Sequence, residues 1–177
     1  MQQSPAFGSS TINIRDLVKK YHYRAILDQL SLTIRDGAFC VLVGANGAGK
    51  TTLLRILSTL IRPDHGEVFM AGVPITNGRV LRQKIGYVGH QPMFYHDLTA
   101  TENLQHYARL YQLDNADRRI WLGLQSVGLL ENNQAPVRTF SRGMQQRLSI
   151  VRALLHEPKI LLFDDPTPGS TRKQPNF

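Results

Sequence analysis

The sequence predicts an α/β fold, and three observations carry the prediction. A glycine-rich stretch, Gly44-Ala45-Asn46-Gly47-Ala48-Gly49-Lys50-Thr51-Thr52, joins the apolar run Ala38-Phe39-Cys40-Val41-Leu42-Val43 to an apolar helical pattern. Segments of period two lie on its N-terminal side and return at 67–71. From Pro92 to about Phe140 the apolar spacing turns helical. Together these describe a strand–loop–helix core with an antiparallel β edge and an α-helical insertion over 92–140.

Each element follows from local pattern. Residues 11–18 and 30–35 alternate apolar and polar, as half-buried antiparallel strands do. Asp36-Gly37 is a turn before the apolar run 38–43, which reads as a buried strand. Behind the loop, Leu53, Leu54, Ile56, Leu57, Leu60 and Ile61 form an apolar helix that Pro63 stops. Asp64-His65-Gly66 turns into a strand at 67–71 closed by Gly72, and 85–89 is a further short strand. Thr99 with Glu102 is a capping box, and Leu104, Tyr107, Ala108 and Tyr111 recur behind it at helical spacing. A second helix is predicted over 118–127 with Ile120, Leu124 and Val127 on one face. Ser141 caps a third, striped by Met144, Leu148, Val151 and Leu155 and ended at Glu157-Pro158. Ile160-Leu161-Leu162-Phe163 is a buried strand that delivers Asp164-Asp165 to its C-terminal end.

The pattern G-x-x-x-x-G-K-[ST] at Gly44 to Thr51 has a chemical reading. Its glycines let the backbone curl with N–H groups turned toward phosphate, Lys50 adds a point charge, and the Thr51 hydroxyl is left for Mg²⁺. The helix that begins there adds its positive dipole end. The four fixed positions arise by chance in on the order of one random chain in a hundred, and the strand–loop–helix setting makes a P-loop NTPase core the expectation. An acidic pair at a strand end is, taken alone, a solvated turn. Beside a phosphate loop, Asp164 fits a Mg²⁺-holding carboxylate and Asp165 a group that orients water.

Composition bounds the rest. The chain has 177 residues with a formal charge of +8, so its surface favours polyanions: nucleotide, nucleic acid or an anionic membrane face. The single cysteine, Cys40, excludes an intrachain disulfide, suits the cytosol, and is expected as a buried core thiol. Residues 1–10 read as a flexible polar segment without signal-peptide character, and no apolar run approaches bilayer length, so a membrane role is expected to come through a partner. The six histidines show no paired metal-ligand spacing.

Four motifs in order make the chain resemble the nucleotide-binding domains of ABC transporters. They are Gly44 to Thr52 (Walker A), Gln91 after a short strand, Phe140-Ser141-Arg142-Gly143-Met144-Gln145-Gln146-Arg147 at the place of the Leu-Ser-Gly-Gly-Gln signature, and Ile160 to Pro166 (Walker B). The resemblance covers residues 11–169. Within the family, Tyr87-Val88-Gly89-His90-Gln91, the run Asp97-Leu98-Thr99 with Glu102-Asn103-Leu104, and the Ser-Arg-Gly-Met signature look most like the haem exporter ATPase of cytochrome c maturation.

The resemblance implies ATP and Mg²⁺ as cofactors, a transmembrane permease as partner, a homodimer or heterodimer of nucleotide-binding domains, and a cytoplasmic place on the inner face of the membrane. It implies that Tyr21 stacks on adenine, with Tyr23 as a rival and an ordinary strand aromatic as the plain alternative. Gln91 is implied as the residue that reaches Mg²⁺ and senses the transporter. Ser141, Arg142, Gly143, Met144 and Gln145 correspond to a signature that closes on the γ-phosphate held by the opposite subunit, where a plain N-cap is the simpler role for Ser141. A DNA- or ribosome-acting ATPase is the reading the charge alone suggests, but paired cassettes and coiled-coil insertions are lacking, so nucleic acid is not an expected partner.

Two departures from the family pattern bear on turnover. Asp165 stands where the family places Glu, one methylene shorter, and a displacement of about 1 Å at a reacting group costs on the order of a hundredfold in rate. The match stops at Gly169. Residues 170–177 read as a divergent polar tail, and no histidine follows Asp165. The expectation is an α/β domain incomplete at its C-terminus, with an exposed sheet edge prone to association. A nucleotide-binding module with little or no turnover is the alternative to a transport ATPase.

Overall fold

The structure, a computed structural model, describes residues 10–90 and 92–164. The fold is α/β and divides into two compact units, Met1–Ile85 and Gly86–Phe177. No helix among the described residues is long and apolar enough to cross a membrane.

In the first unit, β1 (Ser10–Tyr21) and β2 (Arg24–Arg35) form a long antiparallel hairpin, extended well past the alternating cores of 11–18 and 30–35. β3 (His65–Met70) pairs with the other edge of β1, and β4 (Val73–Pro74) completes the sheet in the order β2-β1-β3-β4. Ile12 and Ile14 point inward, then the register shifts between Ile14 and Leu17, where Asp16 takes φ +46. That shift is why Leu17, and not residue 16, is the next buried position. Asp64 anchors the β1–β3 connection: it accepts the Lys20 N–H at 2.6 Å and pairs with the Lys19 ammonium at 2.9 Å. The backbone bond first, then the ammonium, hold its carboxyl below the ordinary range.

Helix α1 (Lys50–Leu57) buries Leu53, Ile56 and Leu57 but ends four residues before Ile61. The Ser58 N–H closes on Leu54 and Ile56, and Thr59 enters the left-handed region at φ +62, so the chain leaves the helix before Pro63 can act. A short helix α2 (Gly78–Arg82), capped by Asn77, was not legible in the pattern.

Residues 38–43 correct the sequence reading. They belong to no strand among the described residues, and Phe39 and Val43 are 93% and 91% exposed. Cys40 is likewise exposed, contrary to the expected core thiol. The reason is that a strand exists only through a neighbouring ladder: an apolar run without one keeps its backbone groups and side chains in water.

The second unit holds β5 (Ile85–Val88) from its second residue on and β6 (Ile160–Phe163), as a two-stranded sheet. With it are three helices, α3 (Ala100–Leu110), α4 (Ala116–Ser126) and α5 (Arg142–Leu154), and two single 3₁₀ turns at Leu130–Asn132 and Val137–Thr139. Residues 92–140 are therefore helical in two pieces joined by turns. Their core gathers Leu104, Ala108, Ile120, Leu124, Leu148 and Val151. The Thr99 capping box is formed in both directions: Thr99 Oγ1 accepts the Glu102 N–H, and Glu102 accepts the Thr99 N–H at 2.8 Å, which holds the Glu102 carboxyl below its ordinary value. Asn103, fully buried, accepts the Tyr95 N–H and donates to the carbonyls of Tyr95, Leu98 and Thr99, fastening residues 95–99 to α3.

Candidate functional site

The phosphate loop lies in the first unit. Gly47 and Gly49 adopt φ +81 and +88, a region L side chains enter only at a cost of about 1–2 kcal/mol. Between them the Ala48 N–H reaches the Ala45 carbonyl at 3.2 Å, and the Leu53 N–H reaches Gly49 at 2.8 Å to start α1. As N-cap, Gly49 offers no side-chain acceptor, and no acid occupies the first turn of α1. Lys50 folds over the loop, its Nζ 2.7 Å from the Gly44 carbonyl and 2.8 Å from that of Ala45. An acid-free helix N-terminus with the Lys50 ammonium over the loop suits a polyphosphate, and the residues present fit one. Gly44, Ala45, Asn46, Gly47, Ala48 and Thr51 are exposed; Thr52 is half-buried.

Tyr21 ends β1, whose partner strand β2 approaches this loop at Ile26 and Leu27. A Cβ at Gly49 would stand 2.9 Å from the Ile26 carbonyl oxygen and 2.9 Å from Leu27 Cδ2, and Leu27 is the register partner of Lys19. The strand β2 at Ile26–Leu27 is thus packed against the loop's last glycine, two to three residues beyond Arg24, the register partner of Tyr21. Tyr21 is 45% exposed, with Lys19 Nζ 5.6 Å from its ring centroid; Tyr23, at the turn, is wholly exposed.

Asp164 lies in the second unit, where its N–H donates to the Val88 carbonyl at 2.9 Å at the end of β6. Asp164 is 6% exposed, and its carboxylate accepts the Tyr87 hydroxyl on Oδ2 at 3.3 Å. A buried carboxylate at a strand end suits a hydrated divalent cation. The signature segment divides by direction. Ser141 caps α5, its Oγ accepting the Met144 N–H at 3.3 Å, and Ser141, Arg142 and Gly143 are exposed. Met144 packs on the helical core, and Gln145 Nε2 donates to the Phe140 carbonyl. A cleft of about 320 Å³ is lined by Gly89, His90 and Pro92 on one side and Arg142, Gln145, Gln146 and Ser149 on the other. Gln91 and Asp165 lie outside the described residues, as do 1–9 and the tail from 166.

Tyr87, which reaches Asp164, and Arg152, which reaches Tyr87, are not marked as site residues by the sequence. Tyr87 is 77 positions away in sequence, a distance no local pattern spans. Arg152, 6% exposed, donates Nη2 to the Tyr87 carbonyl at 2.8 Å, with its guanidinium 5.3 Å and 5.6 Å from the ring centroids of Tyr107 and Phe94. The available signal was a charge four residues after Leu148, on the buried stripe of α5.

The sequence profile of the ABC transporter family matches residues 27–168. The chain is 38% identical over 159 residues to the uncharacterized ABC transporter ATP-binding protein YdbJ of Bacillus subtilis, covering 89% of this chain and 51% of that protein. It is also 38% identical over 164 residues to the bacitracin transport ATP-binding protein BcrA of Bacillus licheniformis, covering 91% and 53%. The chain thus spans about half the length of the curated relatives it matches. Among solved structures, the dimeric ATP-binding cassette MJ0796, in a post-hydrolysis state bound to ADP and Pi, superposes with a TM-score of 0.80 at 28% identity, over 88% of this chain and 74% of that one.

Proposed function

We propose, for a chain that belongs to the ABC transporter family, that it binds Mg-ATP as the energy-supplying subunit of an exporter. The observation that carries the reading is the phosphate loop, left-handed at Gly47 and Gly49, free of acids, and closed by Lys50. Lys50 and the loop N–H groups would hold the β- and γ-phosphates, and Tyr21 would stack on the base. The Thr51 hydroxyl, the Asp164 carboxylate and Gln91 are the proposed holders of Mg²⁺, which when bound neutralises charge on the phosphates. Asp165 would orient the attacking water. Ser141 and the Gly143 N–H would meet the γ-phosphate held by a second nucleotide-binding domain; the dimeric state of MJ0796 supports that arrangement.

A transmembrane permease is the proposed partner, at the cytoplasmic face of the membrane. For cargo we propose a small exported molecule. The bacitracin transport relative supports transport of such compounds, and haem keeps only the motif resemblance at Tyr87 to Gln91 and in the signature. A second reading, nucleotide binding without useful turnover, is favoured by Asp165 standing where Glu is usual.

The test is Lys50→Ala, read by affinity for a fluorescent ATP analogue and by phosphate release. Loss of one charge-assisted contact predicts roughly a 10- to 100-fold weaker affinity. Unchanged affinity refutes the reading. Wild-type binding with phosphate release no faster than that of Lys50→Ala selects the second reading.

A further inference from the structure

We infer that Tyr87 is a positioning residue for Asp164, and that Gly89 reserves the space its phenol occupies. The inference rests on the proposed role of Asp164 as a Mg²⁺ carboxylate. The Tyr87 hydroxyl donates to Oδ2 of Asp164 at 3.3 Å, a long bond that biases the carboxylate toward one orientation about Cβ–Cγ. Backbone register brings the two together, since the Asp164 N–H bonds to Val88, the residue after Tyr87.

Tyr87 is itself held in place. Its carbonyl accepts Nη2 of Arg152 at 2.8 Å, and the guanidinium of Arg152 lies against the rings of Phe94 and Tyr107. Tyr107 in turn donates its hydroxyl to the Met93 carbonyl. Two residues after Tyr87, Gly89 leaves room for the ring: a Cβ there would stand 2.7 Å from Cε1, 2.7 Å from the hydroxyl oxygen and 2.9 Å from Cζ of Tyr87. The obstructed atoms are the far end of a side chain, so a methyl at 89 would swing the phenol aside and leave the strand intact. Arg152, Tyr87, Gly89 and Asp164 thus form a line from the helices to the carboxylate, with the phenol as its last member.

The experiment compares wild type, Tyr87→Phe, Gly89→Ala, the double variant and Asp164→Asn in the full 177-residue chain. Free Mn²⁺ is followed by electron paramagnetic resonance during titration of the ATP-loaded protein, and ATP affinity is measured separately with chelator present. Tyr87→Phe is expected to raise the half-saturating Mn²⁺ concentration roughly three- to tenfold, with chelated ATP affinity within about twofold of wild type. Gly89→Ala should do the same, and the double variant no more than either alone. A Tyr87→Phe midpoint equal to wild type, with Asp164→Asn shifted, overturns the role of Tyr87 alone. An unshifted Asp164→Asn overturns the reading of Asp164 and this inference with it. Thermal midpoints of Tyr87→Phe and Gly89→Ala that stay near wild type while Mn²⁺ binding weakens support positioning. A weakening of chelated ATP affinity in parallel with that of Mn²⁺ makes the role merely structural and overturns it.

Discussion

Alanine at Gly49 and alanine at Gly47 place the same methyl in the same loop under different constraints, which makes the pair a direct measure of how the phosphate loop is held. Both positions lie in the left-handed region, at φ +88 and +81, so each substitution carries about 1–2 kcal/mol of backbone cost. At Gly47 a Cβ meets nothing within 4 Å. At Gly49 it stands 2.9 Å from the Ile26 carbonyl oxygen and 2.9 Å from Leu27 Cδ2, one of them backbone that cannot swing away. Overpacking of that kind adds about 1–3 kcal/mol. Gly49→Ala should therefore melt below Gly47→Ala by roughly 2–12 °C, at the usual 2–4 °C per kcal/mol for chains of this size. Differential scanning fluorimetry reads the melting, and titration with a fluorescent ATP analogue reads the loop. The extra displacement at Gly49 falls beside Lys50, so nucleotide affinity should drop further there than in Gly47→Ala. Equal costs at the two positions, or a larger one at Gly47, would refute the packing of the loop against β2.

Two further predictions come from single groups. Glu102 has its folded pKa lowered, first by the Thr99 N–H and then by the Thr99 hydroxyl. Its stabilisation is therefore present above the unfolded glutamate value of about 4.3 and is lost as pH falls through the lower folded one. Glu102→Gln keeps the capping-box acceptor without the titration, so urea midpoints of the variant should fall less steeply across that window; parallel profiles would disprove the assignment. Cys40 is exposed, so one thiol per native chain should react with a disulfide reagent at close to the unfolded rate. Protection by tenfold or more would mean that residues 38–43 are paired.

What was legible in the sequence was what local chemistry dictates. The phosphate loop could be read because glycine, lysine and threonine each have a task at a fixed offset. The starts of α3 and α5 could be read because Thr99 and Ser141 are caps whose partners lie three residues on. The end of α1 was misread because Pro63 is a visible stop, whereas the left-handed turn at Thr59 comes from a residue with no such signature. The run 38–43 was misread because apolar composition suits a strand, yet pairing is decided by chain elsewhere. The surroundings of Asp164 were illegible for the same reason: Tyr87 reaches it, and Arg152 reaches Tyr87, through tertiary register alone.

The side chain of Asn103 has a consequence for reading relatives of this chain. Its pocket asks for one acceptor and a two-hydrogen donor at the reach of a single methylene, and it supplies partners for both. Aspartate would bring a charge and no donor, leucine would strand the Tyr95 amide, and glutamine would overshoot by a carbon. Position 103 is thus a one-letter position, fixed by how a bend is fastened to a helix. An unvarying asparagine there would record the geometry of a hinge-free corner, and a search for catalytic groups that ranks positions by invariance alone would be drawn to a residue that touches no substrate.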